Sequence, residues 1–268
     1  MLSHVDIFGL SIQTFGVFFA LNFVTWGALA ARRLAELGKP TDWAFEMVMA
    51  AVVGGLIGAR AYYLIQNHAD LHGSLLGNVF GGSGLVWYGG LAGGTIVMLI
   101  WARWRGFLSL PLIDIAGPAL ALGYAIGRIG CQVAGDGDYG KASHLPWAMG
   151  YPHGTTPTPP GVTVQPTPIY ETVSMGLVAW LLWRLRDRFR PGVLFALYLV
   201  LAGIERFLVE FVRRNKHVVG GLTAAQLESL ALFVIGAAAL ALVHRRGGLL
   251  RAAAREPAGV RTPAAVAR

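Results

Sequence analysis

Seven apolar runs alternate with short polar segments along the chain. The first extends from Ile12 to Ala31 and stops at Arg32-Arg33, and the second runs from Trp43 to Ile65. The third is entered through the glycine-dense stretch from Gly81 to Gly94 and ends near Trp101; the fourth runs from Leu110 to Ile129. The fifth opens at Val164-Gln165-Pro166-Thr167-Pro168-Ile169-Tyr170-Glu171 and ends before Arg184, the sixth spans Gly192 to Val212 and the seventh Leu222 to Val243. A helix needs roughly 20 apolar residues to cross a bilayer. The pattern therefore predicts an all-α integral membrane bundle of about seven helices. Residues 1–246 form one membrane domain, and the alanine, arginine and proline tail at 247–268 is expected to be a disordered cytoplasmic segment. Residues 131 to 168 make an extended loop, too long for a simple connector and of a size that is usually functional or disordered.

Composition agrees with this reading. Of 268 residues, 55% are hydrophobic and 13% charged, against about 25% charged in soluble domains. The net charge of +8 comes without a basic, aromatic-interleaved surface or a reading motif, so nucleic acid is not an expected partner. The lysines and arginines set the topology instead. Lys141, Arg213, Arg214 and Lys216 fall in outer segments, Arg60, Arg128 and Arg206 inside predicted spans, and the remaining fifteen in cytoplasmic loops and the tail. That bias places the N-terminus in the periplasm and the C-terminus in the cytoplasm. No lysine or arginine precedes Arg32, so the first run reads as a retained span and not as a cleavable signal peptide. The cluster at 213 to 216 breaks the orientation rule that the other loops obey, which invites a role in binding an anion.

The candidate chemistry gathers around the segment from Gly127 to Gly140. Arg128 stands where the surroundings are lipid or packed helix, and an arginine there normally faces a cavity or an anionic partner; snorkelling from a helix end is the other reading. The glycines that follow let backbone approach such a partner. Arg60, near the end of the second span, has the same two readings. In the second span, Gly54, Gly55, Gly58 and Ala59 let another helix come close. The glycines of the third run permit unwound backbone lining a cavity, with Tyr88 either beside a polar headgroup or acting as an interfacial anchor. Pro168 suits the first turn of the fifth helix. Glu171 lies near the positive end of that helix and, taken alone, reads as a cap. Arg206, Glu210 and Arg213 share one helical face, where Arg206 and Glu210 can pair, while the seventh run carries no marked feature. Cys131, the single cysteine, excludes an intramolecular disulfide and offers no metal-ligand spacing; it reads as a small packing residue, with a catalytic thiol as the other reading. His68 and His72 lack a third ligand, so zinc is not expected.

With these residues in hand, the chain resembles the prolipoprotein diacylglyceryl transferase family, inner-membrane enzymes that begin bacterial lipoprotein maturation. The likeness rests on Gly127-Arg128-Ile129-Gly130 followed by Gly135, Asp136 and Gly140. Gly58-Ala59-Arg60, Tyr88-Gly89-Gly90-Leu91, Pro166-Thr167 with Tyr170-Glu171, and Arg206-Phe207 with Glu210, Phe211 and Arg213 follow in the family's order. The resemblance implies transfer of a diacylglyceryl group from phosphatidylglycerol to the lipobox cysteine thiol of a preprolipoprotein, releasing glycerol phosphate. It implies catalytic roles for Arg128, Arg206, Tyr88 and Glu210. It assigns substrate binding to Arg128, Arg60, Asp136, Gly140, Tyr170, Glu171 and Arg213. No cofactor or metal is implied. Two departures stand out: Tyr88 replaces a histidine common at its turn, which leaves the base for the thiol unassigned, and Phe15 stands where tyrosine is common. The alternatives are a transporter or channel for an anionic solute using Arg60, Arg128 and Arg206, or a catalytically silent relative that binds lipid or lipoprotein. No inverted repeat supports transport.

Overall fold

The computed structural model describes residues 4–7, 10–68 and 86–251. A hairpin of β1 (His4–Ile7) and β2 (Leu10–Gln13) leads into α1 (Thr14–Glu36). Then come α2 (Trp43–Gln66), α3 (Trp87–Trp104), α4 (Leu110–Ala134), α5 (Thr167–Leu185) and α6 (Val193–Val209). A second hairpin, β3 (His217–Val219) and β4 (Leu222–Thr223), joins α6 to α7 (Ala224–Arg245). Each apolar run thus has its helix among the described residues, and the chain is an all-α, multi-pass membrane protein. Among the described residues four helices, α1, α2, α4 and α7, are long and apolar enough to cross a bilayer by length and composition.

The element ends differ from the sequence pattern for local reasons. Helix α1 continues past Arg32-Arg33 to Glu36 because Arg33 finds acceptors there, donating to Glu36 at 2.8 Å and to Asp187 at 2.7 Å. Helix α6 stops at Val209, and the chain tightens into turns in which Val212 N donates to Val209 O and Arg213 N to Glu210 O. Glu210 and Arg213 therefore lie beyond the helix and not on its face. In the third run, Gly89, Gly90, Gly93 and Gly94 are helical, not unwound. Residues 81–85, like Asp70 and His72, lie outside the described residues.

Those glycines serve packing. A Cβ on Gly58 would fall 2.2 Å from Gly89 O, and one on Gly93 2.3 Å from Gly54 O, so α2 and α3 meet backbone to backbone, as the small-residue stretch predicts. The α6–α7 pair is joined similarly: a Cβ on Gly203 would fall 2.8 Å from Ser229 O, and one on Gly236 2.8 Å from Ala196 O. Among the described residues the main helix pairings run in the order α3, α2, α1, α4, α6, α7, with α5 against α4 and α6. At one end of the bundle, Leu34, Ala44, Met47, Trp101, Phe107 and Leu112 are buried together. There Glu46 accepts from Trp101 Nε1 at 2.7 Å and is paired with Arg105. Asp114 on α4 accepts from Gly192 N at 2.7 Å and Phe195 N at 3.0 Å, satisfying amides at the start of α6.

The long loop at the other end is ordered around its own small core. Tyr139, Tyr151 and Val164 are buried together, and the two rings stack with centroids 4.8 Å apart. Gly135 (φ +61°) ends α4 and Gly137 (φ +98°) reverses the chain, conformations that a Cβ disfavours. The loop is fastened to α4 by Tyr151 Oη donating to Gln132 at 2.8 Å and to the segment after α6 by Lys141 N donating to Val212 O at 2.8 Å. The first tail residues also have partners: Arg190 N donates to Leu249 O, and Arg251 N to Arg188 O. Residues 252–268 lie outside the described residues.

Candidate active site

Four segments meet at the loop end of the bundle: the last turns of α4, the loop after it, the second turn of α5 and the end of α6. Their meeting point is Glu171, whose side chain is fully buried. Its carboxylate accepts from Tyr124 Oη at 2.5 Å and from Arg213 Nη1 at 3.3 Å. Arg128 Nε lies 3.3 Å away and Arg206 Nη1 3.7 Å away. Residues 128 and 206, seventy-eight positions apart in the chain, are thus bridged by one carboxylate. The cap reading of Glu171 gives way to a central one: it stands too far into α5 to meet free amides, and three guanidinium groups converge on it instead.

Two more carboxylates complete the set. Asp138 pairs with Arg128 and accepts from Arg213 Nη2 at 2.7 Å. Glu210, 3% exposed, lies 2.9 Å from Arg206 Nη2 and 3.8 Å from Arg213 Nε, and it accepts from Asn215 Nδ2 at 2.6 Å. Three arginines are therefore matched by Asp138, Glu171 and Glu210, as buried charges require. Burial works to raise the Asp138 carboxyl, but Arg128 and Arg213 outweigh it and hold the group below the usual carboxylate range. A fourth carboxylate, Glu205, precedes Arg206 and accepts from Ser174 Oγ at 3.1 Å. The set is not closed: Arg206 Nη1 and Glu210 Oε2 are buried without a hydrogen-bond partner. A buried guanidinium N–H left unmade is costly, and Arg206 Nη1, 3.7 Å from Glu171, keeps capacity for a further acceptor.

The other predicted residues divide. Asp136 does not meet Arg128; its Oδ1 accepts from Asp138 N at 3.2 Å, and Gly137 turns Asp138 inward in its place. Gly140 serves close packing and not an anion cradle, since a Cβ there would fall 2.6 Å from Val212 O and 2.9 Å from Thr167 Cγ2. Tyr170 Oη accepts from Trp147 Nε1 at 2.6 Å and so ties the loop to α5. Arg60 belongs to α2, with its guanidinium over the Tyr63 ring at 5.2 Å; it is not among the guanidinium groups that meet Glu171. Tyr88 is exposed, and its hydroxyl donates to Glu228 on α7 at 2.5 Å, so the seventh helix is not featureless. Phe15 is also exposed and stacks with Phe19. Of the outer basic cluster, Arg213 joins the site, while Arg214 donates to Gly137 O at 2.9 Å and lies over the Tyr139 ring at 4.3 Å.

Sequence reasoning missed Asp138, Tyr124 and Glu205. Tyr124 lies four residues before Arg128, a helical neighbour spacing that is the one available signal. Cys131 is buried with Sγ 3.9 Å from Arg128 Nη1 and 3.8 Å from Asp138 Oδ2. Cys131, Asp136 and Asp138 bring potential ligand atoms within 4.8 Å of one another. Asp138 is already committed to two guanidinium groups, however, whose charge opposes a divalent cation there.

Comparison with known proteins matches the chain to a family. The family model for prolipoprotein diacylglyceryl transferase covers residues 3–242. The chain is 31% identical over 235 residues to the phosphatidylglycerol–prolipoprotein diacylglyceryl transferase of Clostridium tetani, covering 86% of this chain and 93% of that one. It is 33% identical to the same-named protein of Finegoldia magna, covering 86% and 91% of the two chains. With that of Gloeobacter violaceus it shares 32% identity, covering 90% and 92%. The chain belongs to the prolipoprotein diacylglyceryl transferase family.

Proposed function

We propose that this membrane enzyme transfers the diacylglyceryl group of phosphatidylglycerol to the lipobox cysteine thiol of a preprolipoprotein, and that the arginine cluster is where the lipid phosphate is held. The observation that carries the assignment is the convergence of Arg128, Arg206 and Arg213 with one buried N–H of Arg206 unfilled. In the reaction the thiolate sulfur forms a bond to the glyceryl carbon and the carbon–oxygen bond to phosphate breaks. The electron pair moves onto the phosphate oxygen, so the phosphodiester monoanion becomes a monoester dianion. Fixed guanidinium groups aimed at that oxygen stabilise the transition state more than the bound lipid.

Phosphate binding at Arg206 displaces Glu210 from it. Glu210 keeps Asn215 and Arg213 as partners, and it becomes the carboxylate placed to take the thiol proton. Glu171 and Asp138 keep the arginine forks oriented. The lysine and arginine distribution supports a site facing the periplasm, with the N-terminus on that side and the C-terminus in the cytoplasm of a multi-pass inner-membrane protein.

The test is transfer from labelled phosphatidylglycerol to a lipobox peptide by the purified protein. Arg128→Ala and Arg206→Ala each lower turnover by on the order of 100-fold or more, the scale of losing one transition-state donor. Normal turnover in either variant contradicts the assignment.

A further inference from the structure

We propose that Asn215 reads the glycerol headgroup of the lipid substrate and so sets the preference among phospholipids. The inference rests on the phosphatidylglycerol reading above and adds a specificity residue to it. The outer basic cluster at 213 to 216 contains one neutral residue, Asn215. Arg213 is drawn to Glu171 and Arg214 to Gly137 O and the Tyr139 ring. Asn215 turns back to the site, where its Nδ2 donates to Glu210 Oε1 at 2.6 Å. Among the described residues that is its one side-chain hydrogen bond, so the amide oxygen and the second N–H are left open. The residue is exposed, and both groups are accessible to a ligand.

The place of the headgroup follows from the partners of Glu210. Its two oxygens are divided: Oε1 takes Asn215, and Oε2 lies 2.9 Å from Arg206 Nη2 while buried without a hydrogen bond. A phosphate that takes Arg206 over from Glu210 therefore lies one carboxylate away from the Asn215 amide. A phosphodiester has two ester arms. The diacylglyceryl arm stays with its acyl chains among the helices, and the other arm points past the end of α6. Helix α6 ends at Val209, and the segment beyond it is fixed, since Val212 O and Phe211 O accept from Lys141 N and Nζ at 2.8 and 2.9 Å. Asn215 is thus held where the free arm arrives. In phosphatidylglycerol that arm carries two adjacent hydroxyl groups. A side-chain amide offers a donor and an acceptor together, so one hydroxyl accepts from the Asn215 N–H and its neighbour donates to Oδ1. An ammonium headgroup has donors only and leaves the N–H unmatched; a plain alkyl arm matches neither group.

The test compares phosphatidylglycerol with phosphatidylpropanol of the same acyl chains, which keeps the phosphodiester charge and lacks both hydroxyls. Transfer to a lipobox peptide is measured as kcat/KM for each lipid. The parent should favour phosphatidylglycerol by about tenfold, the scale of two hydrogen bonds made in reach of water, and Asn215→Leu should bring the ratio near one. The substitution also frees Glu210 from its anchor, so both lipids lose rate by a common factor and only the ratio reports the headgroup. A parent that uses both lipids equally overturns the proposal. So does an Asn215→Leu variant that keeps the parent's ratio, which would make Asn215 a support for Glu210 and nothing more. A second measurement needs no turnover. The protein in detergent is given an equimolar mixture of the two lipids without peptide, and the bound fraction of each is read by native mass spectrometry. The parent should retain more phosphatidylglycerol and Asn215→Leu should retain both alike; equal retention by the parent overturns the subsite. Absence of transfer by the parent, with the retention preference present and lost in the variant, would sink the transferase reading and leave headgroup recognition standing.

Discussion

Replacing Glu171 with glutamine removes one negative charge from the point where three guanidinium groups meet, at nearly constant volume. The carboxylate lies 3.3 to 3.7 Å from nitrogen atoms of Arg128, Arg206 and Arg213. At about 4 Å between charge centres and an effective dielectric constant near 20, each pair is worth roughly 4 kcal/mol before desolvation. Desolvating the buried ions offsets much of that gain, and removing one partner of a buried pair costs about 3–5 kcal/mol. The glutamine amide makes matters worse by turning a donor toward other donors. Glu171→Gln should therefore lower the midpoint of thermal unfolding in detergent by on the order of 10 °C. It should also reduce transfer from phosphatidylglycerol by about 100-fold, because Arg128 and Arg206 lose the group that orients both. The protein is purified in parallel with the parent, and unfolding is followed by circular dichroism beside the transfer assay. A variant that melts with the parent and turns over at its rate would refute the placement of Glu171 at the centre of the cluster.

Asp138→Asn tests the pH dependence of the same cluster. The native carboxyl is held below its ordinary value, so its contribution is fully present above about pH 4 and is lost as pH falls through the native value. The variant should be less stable than the parent at neutral pH and converge with it on acidification below pH 4, measured as unfolding midpoint against pH. Gly58→Ala places a Cβ 2.2 Å from Gly89 O and should cost about 2 kcal/mol or more. Gly176→Ala, helical with nothing within 4 Å of the added atom, should gain about 0.5–1 kcal/mol; equal melting of the two variants would contradict the α2–α3 packing. Cys131→Ala should retain at least partial transfer, and complete loss in a folded protein would point to a covalent role for that thiol.

The helices are legible in the sequence because each apolar run is bounded by charge or by glycine and proline; Arg128, Arg206 and Glu210 are legible because charge inside such runs demands partners, and Arg213 because its cluster breaks the orientation rule. What is not legible depends on chain direction over one or two residues. Asp136 and Asp138 are equally spaced candidates until Gly137 adopts a positive φ and turns the second inward. Glu171 looks like a cap while only its own helix is considered, since the arginines that surround it come from α4 and from beyond α6. Arg60 reads as the equal of Arg128 by depth, but α2 packs on α3 and α1, and no pattern within one helix reports its neighbours. The fit of the long loop's tyrosines to each other is similarly a matter of tertiary packing that composition leaves open.

The matching of Arg128, Arg206 and Arg213 by Asp138, Glu171 and Glu210 has a bearing on selectivity. Charges that cancel within a few ångströms project little field at a Debye length, so the resting protein does not draw anions in from the medium. Discrimination begins only at contact, when a phosphate of the right shape takes a carboxylate's place on a guanidinium fork. Inorganic phosphate and sulfate, lacking acyl chains to hold them there, should compete poorly, and moderate changes in ionic strength should leave lipid capture almost untouched.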